Sequence, residues 1–156
     1  MQNELRTFNP NFKQAILKKI EGQHFMHHIG FQIHTIEPGL IIGVMPIQNC
    51  HKQNTGFLHG GLVATLADIV AGFSASSLLP EGYHVVTGEL KVSYLNPGLG
   101  DVVEAKGYVL KQGRKIYFCE AEIYCKSGLI STLIAKATTT MIVVSAQEIQ
   151  GKKADN

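Results

Sequence analysis

Residues 53–79 read QNTGFLHGGLVATLADIVAGFSASSLL, and the folding of this stretch decides the rest of the chain. From about Gly61 to Leu79 the sequence is free of proline, and it stops before Pro80. It therefore reads as one long helix. Leu62, Val63, Leu66, Ile69, Val70 and Phe73 make it apolar nearly all round. Such a helix must be covered on most sides. Two features interrupt it. His59-Gly60-Gly61 stands at the helix start, where glycines leave backbone N–H groups unobstructed and able to receive developing negative charge. Asp68 brings a carboxylate into the helix, and a buried charge is costly unless it has a partner or a job.

Outward from this helix the punctuation is regular. Phe12 to Phe25 has helical spacing through Phe12, Ile16, Leu17 and Ile20, ending near Gly22. Phe31 to Ile36 and Leu40 to Ile47 read as a hairpin turning at Glu37-Pro38-Gly39-Leu40. Four strands follow the long helix, broken at Asn96-Pro97-Gly98, Gln112-Gly113 and Ser127-Gly128. Between Lys115 and Cys125, Tyr117, Cys119, Ala121, Ile123 and Cys125 share one face, while Glu120 and Glu122 take the other. The tail after Val144 is mostly polar and is expected to fray. The predicted order is helix, two strands, long helix, four strands. This is an α+β chain in which one antiparallel sheet curls around the central helix. A single domain spans 1–156, with its core at about 29–144.

Composition narrows the function classes. The chain has 156 residues, of which 45% are hydrophobic and 17% charged, so it packs as a globule rather than staying disordered. A net charge of +2, with basic residues scattered, is too weak a field for nucleic acid as a general partner. No apolar run is long enough to span a bilayer, and Met1 to Asn11 lacks a signal-peptide pattern. Cys50, Cys119 and Cys125 are odd in number and lack metal-ligand spacing. They read as reduced, core or near-core thiols of a cytoplasmic protein. His24, His27 and His28 have metal-compatible spacing, but no further Cys or carboxylate joins them with ligand spacing. An incidental cluster is the simpler reading, and no metal is expected.

Asp68, the Gly60 N–H and the Gln53 amide together describe half of an acyl-transfer site. Asp68 stands on a strip of small residues comprising Ala64, Thr65, Ala71 and Gly72, with Gly61 and Ala75 further along. Such a strip admits a ligand or another helix. The carboxylate acts as base or nucleophile, or else it is a capped structural Asp. Gly60 is either an oxyanion donor or a residue that permits a tight turn. Gln53 either holds the carbonyl or water, or satisfies its own loop. His59 either serves as a base near neutral pH or fixes the turn by hydrogen bonds. Thr87 shares its face with Glu89, Lys91 and Ser93, a polar face that borders the site or is ordinary strand. Lys111, Arg114 and Lys115 form a basic turn suited to phosphates, or a solvated hairpin. Asp68 lies eight residues beyond Gly60, roughly 12 Å along a helix. One reacting carbon can hardly meet both groups from a single helix. A two-fold dimer, with Gly60 of one subunit facing Asp68 of the other, solves this and predicts two shared sites.

Gly56, His59-Gly60-Gly61 and Asp68 recur in a known pattern. So do the strand Thr87-Gly88-Glu89-Leu90-Lys91-Val92-Ser93-Tyr94-Leu95-Asn96-Pro97 and the hairpin Val109-Leu110-Lys111-Gln112-Gly113-Arg114. Over roughly Ile29 to Val144 the chain resembles the hotdog-fold acyl-CoA thioesterases related to 4-hydroxybenzoyl-CoA thioesterase, phenylacetate-pathway thioesterases and the human thioesterase superfamily member 2 group. The resemblance implies the hotdog fold, acyl-CoA as substrate, and no cofactor. It also implies a homodimer with shared sites and, by analogy, a dimer of dimers. It places Ser or Thr at position 87 to orient water. Relatives differ at the positions of Gln53, Asp68 and Gly72, so it does not choose the acyl group. Two alternatives stand beside hydrolysis: a non-catalytic acyl-CoA sensor on the same fold, and an enoyl-CoA hydratase.

Overall fold

The computed structural model describes residues 4–154, with side chains through Gly151. Along the chain run α1 (Phe12–Glu21), α2 (His24–His28), β1 (Gln32–Glu37), β2 (Leu40–Pro46) and α3 (Gly60–Ser76). There follow β3 (Tyr83–Tyr94), β4 (Val102–Gln112), β5 (Ile116–Ser127), β6 (Ile130–Ser145) and α4 (Ala146–Ala154). The six strands form one antiparallel sheet in the order β1-β2-β4-β5-β6-β3. This is the α+β architecture read from the sequence, with a long helix against the sheet.

α3 presents Val63, Leu66, Ala67, Val70, Ala71 and Ser74 to the sheet, all buried. Their spacing is that of a helical stripe. Beneath them the sheet offers small residues: Ala105, Gly107, Ala121, Ala135 and Ala137. A Cβ at Gly107 would run into the backbone of Val70 and Ala71, so glycine there lets α3 press directly onto β4. Each buried Val or Leu contributes about 1.5–3 kcal/mol of hydrophobic stabilisation. The β1–β2 turn uses Gly39 at φ 72, a conformation favoured by glycine. Its N–H donates to Ser77 Oγ at 2.7 Å, and Ser77 Oγ donates to Ser74 O at 2.6 Å. This buried serine ties the end of α3 to the hairpin, and Leu78 and Leu79 lie beyond the helix rather than in it.

Four expectations need correction. The N-terminal helix is not continuous to Phe25, because the chain breaks at Gly22–Gln23 and restarts as α2. Glycine is a poor helix former, and the break lets Ile16 and Met26 both enter the core. The polar tail is helical through Ala154, with residues 155–156 outside the described residues: Ser145 and Glu148 form a reciprocal cap that starts α4. Ser145 N donates to Glu148 Oε2 at 2.6 Å, and Glu148 N donates to Ser145 Oγ at 3.2 Å. Cys50 is exposed rather than near the core. Finally, a single chain leaves one face of α3 open. Gly61 is exposed, and Leu62, Thr65, Asp68, Ile69, Gly72 and Ser76 are only half-buried. No helix among the described residues is long and apolar enough to cross a membrane.

Candidate active site

The N-terminus of α3 is built by its own preceding loop. His59 has the extended backbone of an N-cap, with φ −68 and ψ 131, and its Nδ1 accepts from Gly61 N at 3.0 Å. That bond puts the proton of the neutral ring on Nε2. The His59 and Leu58 N–H groups donate to His51 O and Gly98 O, both at 2.9 Å, which seats the loop. Gly60 O accepts from the Tyr94 hydroxyl at 2.8 Å. The Gly60 N–H donates to no protein acceptor among the described residues. It lies at the positive end of a 17-residue helix, where a partial negative charge is stabilised. Gly60 lines a cavity of about 460 Å³ with Gln53, Phe57, Tyr94 and Ile134.

Asp68 lies two turns further along α3. Its Oδ1 accepts from Thr87 Oγ1 at 2.6 Å, a short bond typical of a charged acceptor. Thr87 is not on the face of Glu89, Lys91 and Ser93. A bulge at Gly88 breaks the β3–β6 register between Thr87 and Glu89, so the alternation changes phase there. Thr87 pairs with buried Met141, as Leu90 pairs with Thr139 and Val92 with Ala137. It therefore points at the helix, with Met141 Sδ 3.7 Å from its hydroxyl. The strip of small residues is also divided: Ala71 and Ala75 are buried in the core, whereas Ala64, Thr65 and Gly72 stay half-buried beside Asp68. Asp68, Gly72, Phe73, Thr87 and Met141 line a second cavity, of about 430 Å³. No cation pairs with Asp68 among the described residues.

Within one chain, then, Gln53 and Gly60 share one cavity while Asp68 and Thr87 share another. One half offers an unused N–H at a helix start. The other offers a carboxylate anchored through one oxygen, leaving the second oxygen for water or an electrophile. Tyr94 and Met141 escaped the sequence reading, since Tyr94 meets Gly60 and Met141 meets Thr87 only through contacts between distant segments. Lys111, Arg114 and Lys115 are exposed at the β4–β5 turn, outside both cavities. The His27 ring is engaged by Ile20 O at 2.8 Å, and no group of three or more potential metal ligands occurs among the described residues. Burial pushes the Cys119 and Cys125 thiols up to about 11, so neither is a thiolate nucleophile at neutral pH.

Known proteins resemble this chain in sequence and in fold. Residues 55–132 match the Thioesterase superfamily. Acyl-coenzyme A thioesterase 13 of Homo sapiens is 27% identical over 127 residues, covering 79% of this chain and 89% of its own. The crystal structure of a thioesterase family protein from Silicibacter pomeroyi superposes with TM-score 0.84 at 32% identity, covering 86% of this chain and 98% of that one. A Streptococcus mutans protein solved bound to acetyl CoA superposes with TM-score 0.65 at 28% identity, covering 74% and 89%. The chain thus belongs to the thioesterase superfamily, carries its hotdog fold, and is a thioester hydrolase.

Proposed function

We propose that the protein hydrolyses acyl-CoA thioesters at two equivalent sites of a homodimer. Each site takes Asp68 and Thr87 from one protomer and Gly60 and Gln53 from the other. The separation of the two half-sites carries this reading. The unused Gly60 N–H and the anchored Asp68 carboxylate lie eight residues apart on one helix, roughly 12 Å, in different cavities. A thioester carbon must come within about 3 Å of both. Two further features support a two-fold partner. The Asp68 face of α3 is uncovered, and β3 is a 12-residue edge strand with one side unpaired. Long open edges are normally paired or protected. Pairing of β3 with its symmetry mate would continue the sheet and set two α3 helices antiparallel. The relatives named for acyl-coenzyme A and seen with acetyl CoA favour CoA as the leaving group.

In this mechanism Gly60 N–H polarises the thioester carbonyl. Asp68 deprotonates water, or attacks directly to form a mixed anhydride that water then cleaves. In either route the C–S bond breaks and CoA thiolate departs, a leaving group that needs no strong general acid. Thr87 holds Asp68 in place, Gln53 orients the carbonyl or water, and His59 fixes the turn that aims the Gly60 N–H. Lys111, Arg114 and Lys115 contact the CoA phosphates. The chemistry calls on no metal or redox group. Complementation tests the shared site. Protein carrying Asp68→Asn and protein carrying Gln53→Ala and Gly60→Pro are each expected to be inactive on octanoyl-CoA. Refolded together in equal amounts, they should recover about a quarter of wild-type thiol release, because half the dimers regain one native site. No recovery in verified heterodimers sinks the shared site, and binding of octanoyl-CoA without thiol release by wild type sinks hydrolysis of this substrate class.

A further inference from the structure

The Asp68 cavity does not end at the helix. Lys19, Ser76 and His84 line both it and a larger neighbouring cavity of about 610 Å³ beneath α1. These three residues form the shared boundary, or throat, at which the two cavities adjoin. Two rulers give its distance from the reacting groups. Asp68, Gly72 and Ser76 follow each other at helical spacing, which puts Ser76 about 12 Å along α3 from Asp68. Along β3, His84 lies three residues from Thr87, or about 10 Å. The throat thus lies one medium-length acyl group away from the carboxylate.

Its chemistry is unusual for the end of an acyl pocket. Lys19 is half-buried, and among the described residues its ammonium donates only to Tyr83 O, at 3.4 Å. Asp68 and Glu81 line the two chambers with it, yet neither pairs with it. Burial pulls the Lys19 pKa below its usual value. Burial, and then the Lys19 charge, lower that of His84, which leaves a neutral imidazole able to form a hydrogen bond. A half-buried cation with no carboxylate partner is costly. An apolar tail threaded past it would bury it further without compensation. An anion would pair with it.

We infer that Lys19, with His84 and Ser76, recognises a carboxylate at the distal end of the acyl group, so that the substrates are thioesters of medium-length dicarboxylic acids. This rests on the acyl-CoA thioesterase reading above. The test compares octanoyl-CoA with suberoyl-CoA, which differ only by a terminal carboxylate, and includes palmitoyl-CoA as the long apolar competitor. Wild type should show a kcat/KM at least about tenfold higher for suberoyl-CoA than for octanoyl-CoA. Lys19→Met should bring that ratio close to one, and Lys19→Arg should restore most of it. A wild-type ratio near one, a ratio unchanged by Lys19→Met, or a preference for palmitoyl-CoA overturns the inference. Calorimetric binding of the eight-carbon pair to Asp68→Asn protein separates the two readings. Absent turnover by wild type with tighter suberoyl-CoA binding by Asp68→Asn protein overturns hydrolysis and supports the distal site. Turnover with equal binding and equal rates does the reverse.

Discussion

Replacing Gly60 with proline removes one catalytic group and little else, which makes it the sharpest test of the oxyanion role. Gly60 is the first residue of α3, the helical position where proline is favoured because its missing N–H has no helical partner. The preceding His59 is already extended at ψ 131, as a residue before proline prefers. A Cβ at position 60 would meet the Tyr94 ring at 3.4 Å, at the near edge of ordinary contact. Gly60→Pro should therefore fold with Tm close to wild type while losing the N–H aimed at the substrate oxygen. Removing one such donor costs about 3 kcal/mol, or 10²–10³ in kcat. Gly60→Ala adds the same Cβ but keeps the N–H, and should stay within about threefold of wild type, as mild surface substitutions do. The assay is thiol release from octanoyl-CoA at saturation, with circular dichroism melts on each variant. A folded Gly60→Pro protein retaining kcat within tenfold of wild type refutes the donor role. So does an equal loss in Gly60→Ala, which would assign the effect to packing against Tyr94.

Asp68→Asn should lower kcat by about 10²–10⁴, and Thr87→Val by about 10–100, the worth of one hydrogen bond to a charged group. The double variant should be no slower than Asp68→Asn alone, because Thr87 works through the carboxylate it holds at 2.6 Å; additive losses in steady-state kinetics would contradict this. Gly107→Ala forces a methyl group against the Val70 and Ala71 backbone and should cost about 1–3 kcal/mol. The corresponding fall in Tm is about 2–12 °C by calorimetry, and an unchanged Tm would show that α3 does not sit so closely on β4. With Cys50 exposed and Cys119 and Cys125 buried with thiols at about 11, iodoacetamide at neutral pH should modify only Cys50 in the native protein. All three cysteines should react after unfolding, as mass spectrometry would show. Rapid native modification of Cys119 would contradict the packing of β5.

The long helix, the hairpin before it and the four strands after it were legible in the sequence because each has a local cause. Apolar residues recur at helical or two-residue spacing, and Pro and Gly mark the breaks. The glycine-rich helix start and the lone Asp68 were legible for the same reason, since fixed helical rise sets their separation of roughly 12 Å whatever surrounds them. The Ser145–Glu148 cap was also written in the sequence, as Ser and Glu three residues apart. Which way Thr87 points was not. One extra residue at Gly88 reverses the strand's two faces, and a bulge is a property of strand pairing that alternation along a single strand does not reveal. The open face of α3 likewise depends on how far the sheet curls, and hence on small residues from three strands meeting beneath the helix. Local periodicity determined the elements and their spacing. Tertiary packing decided that Thr87 holds Asp68, and that Lys19 and His84, 65 residues apart in sequence, meet at the throat of one cavity, because both depend on contacts between distant segments.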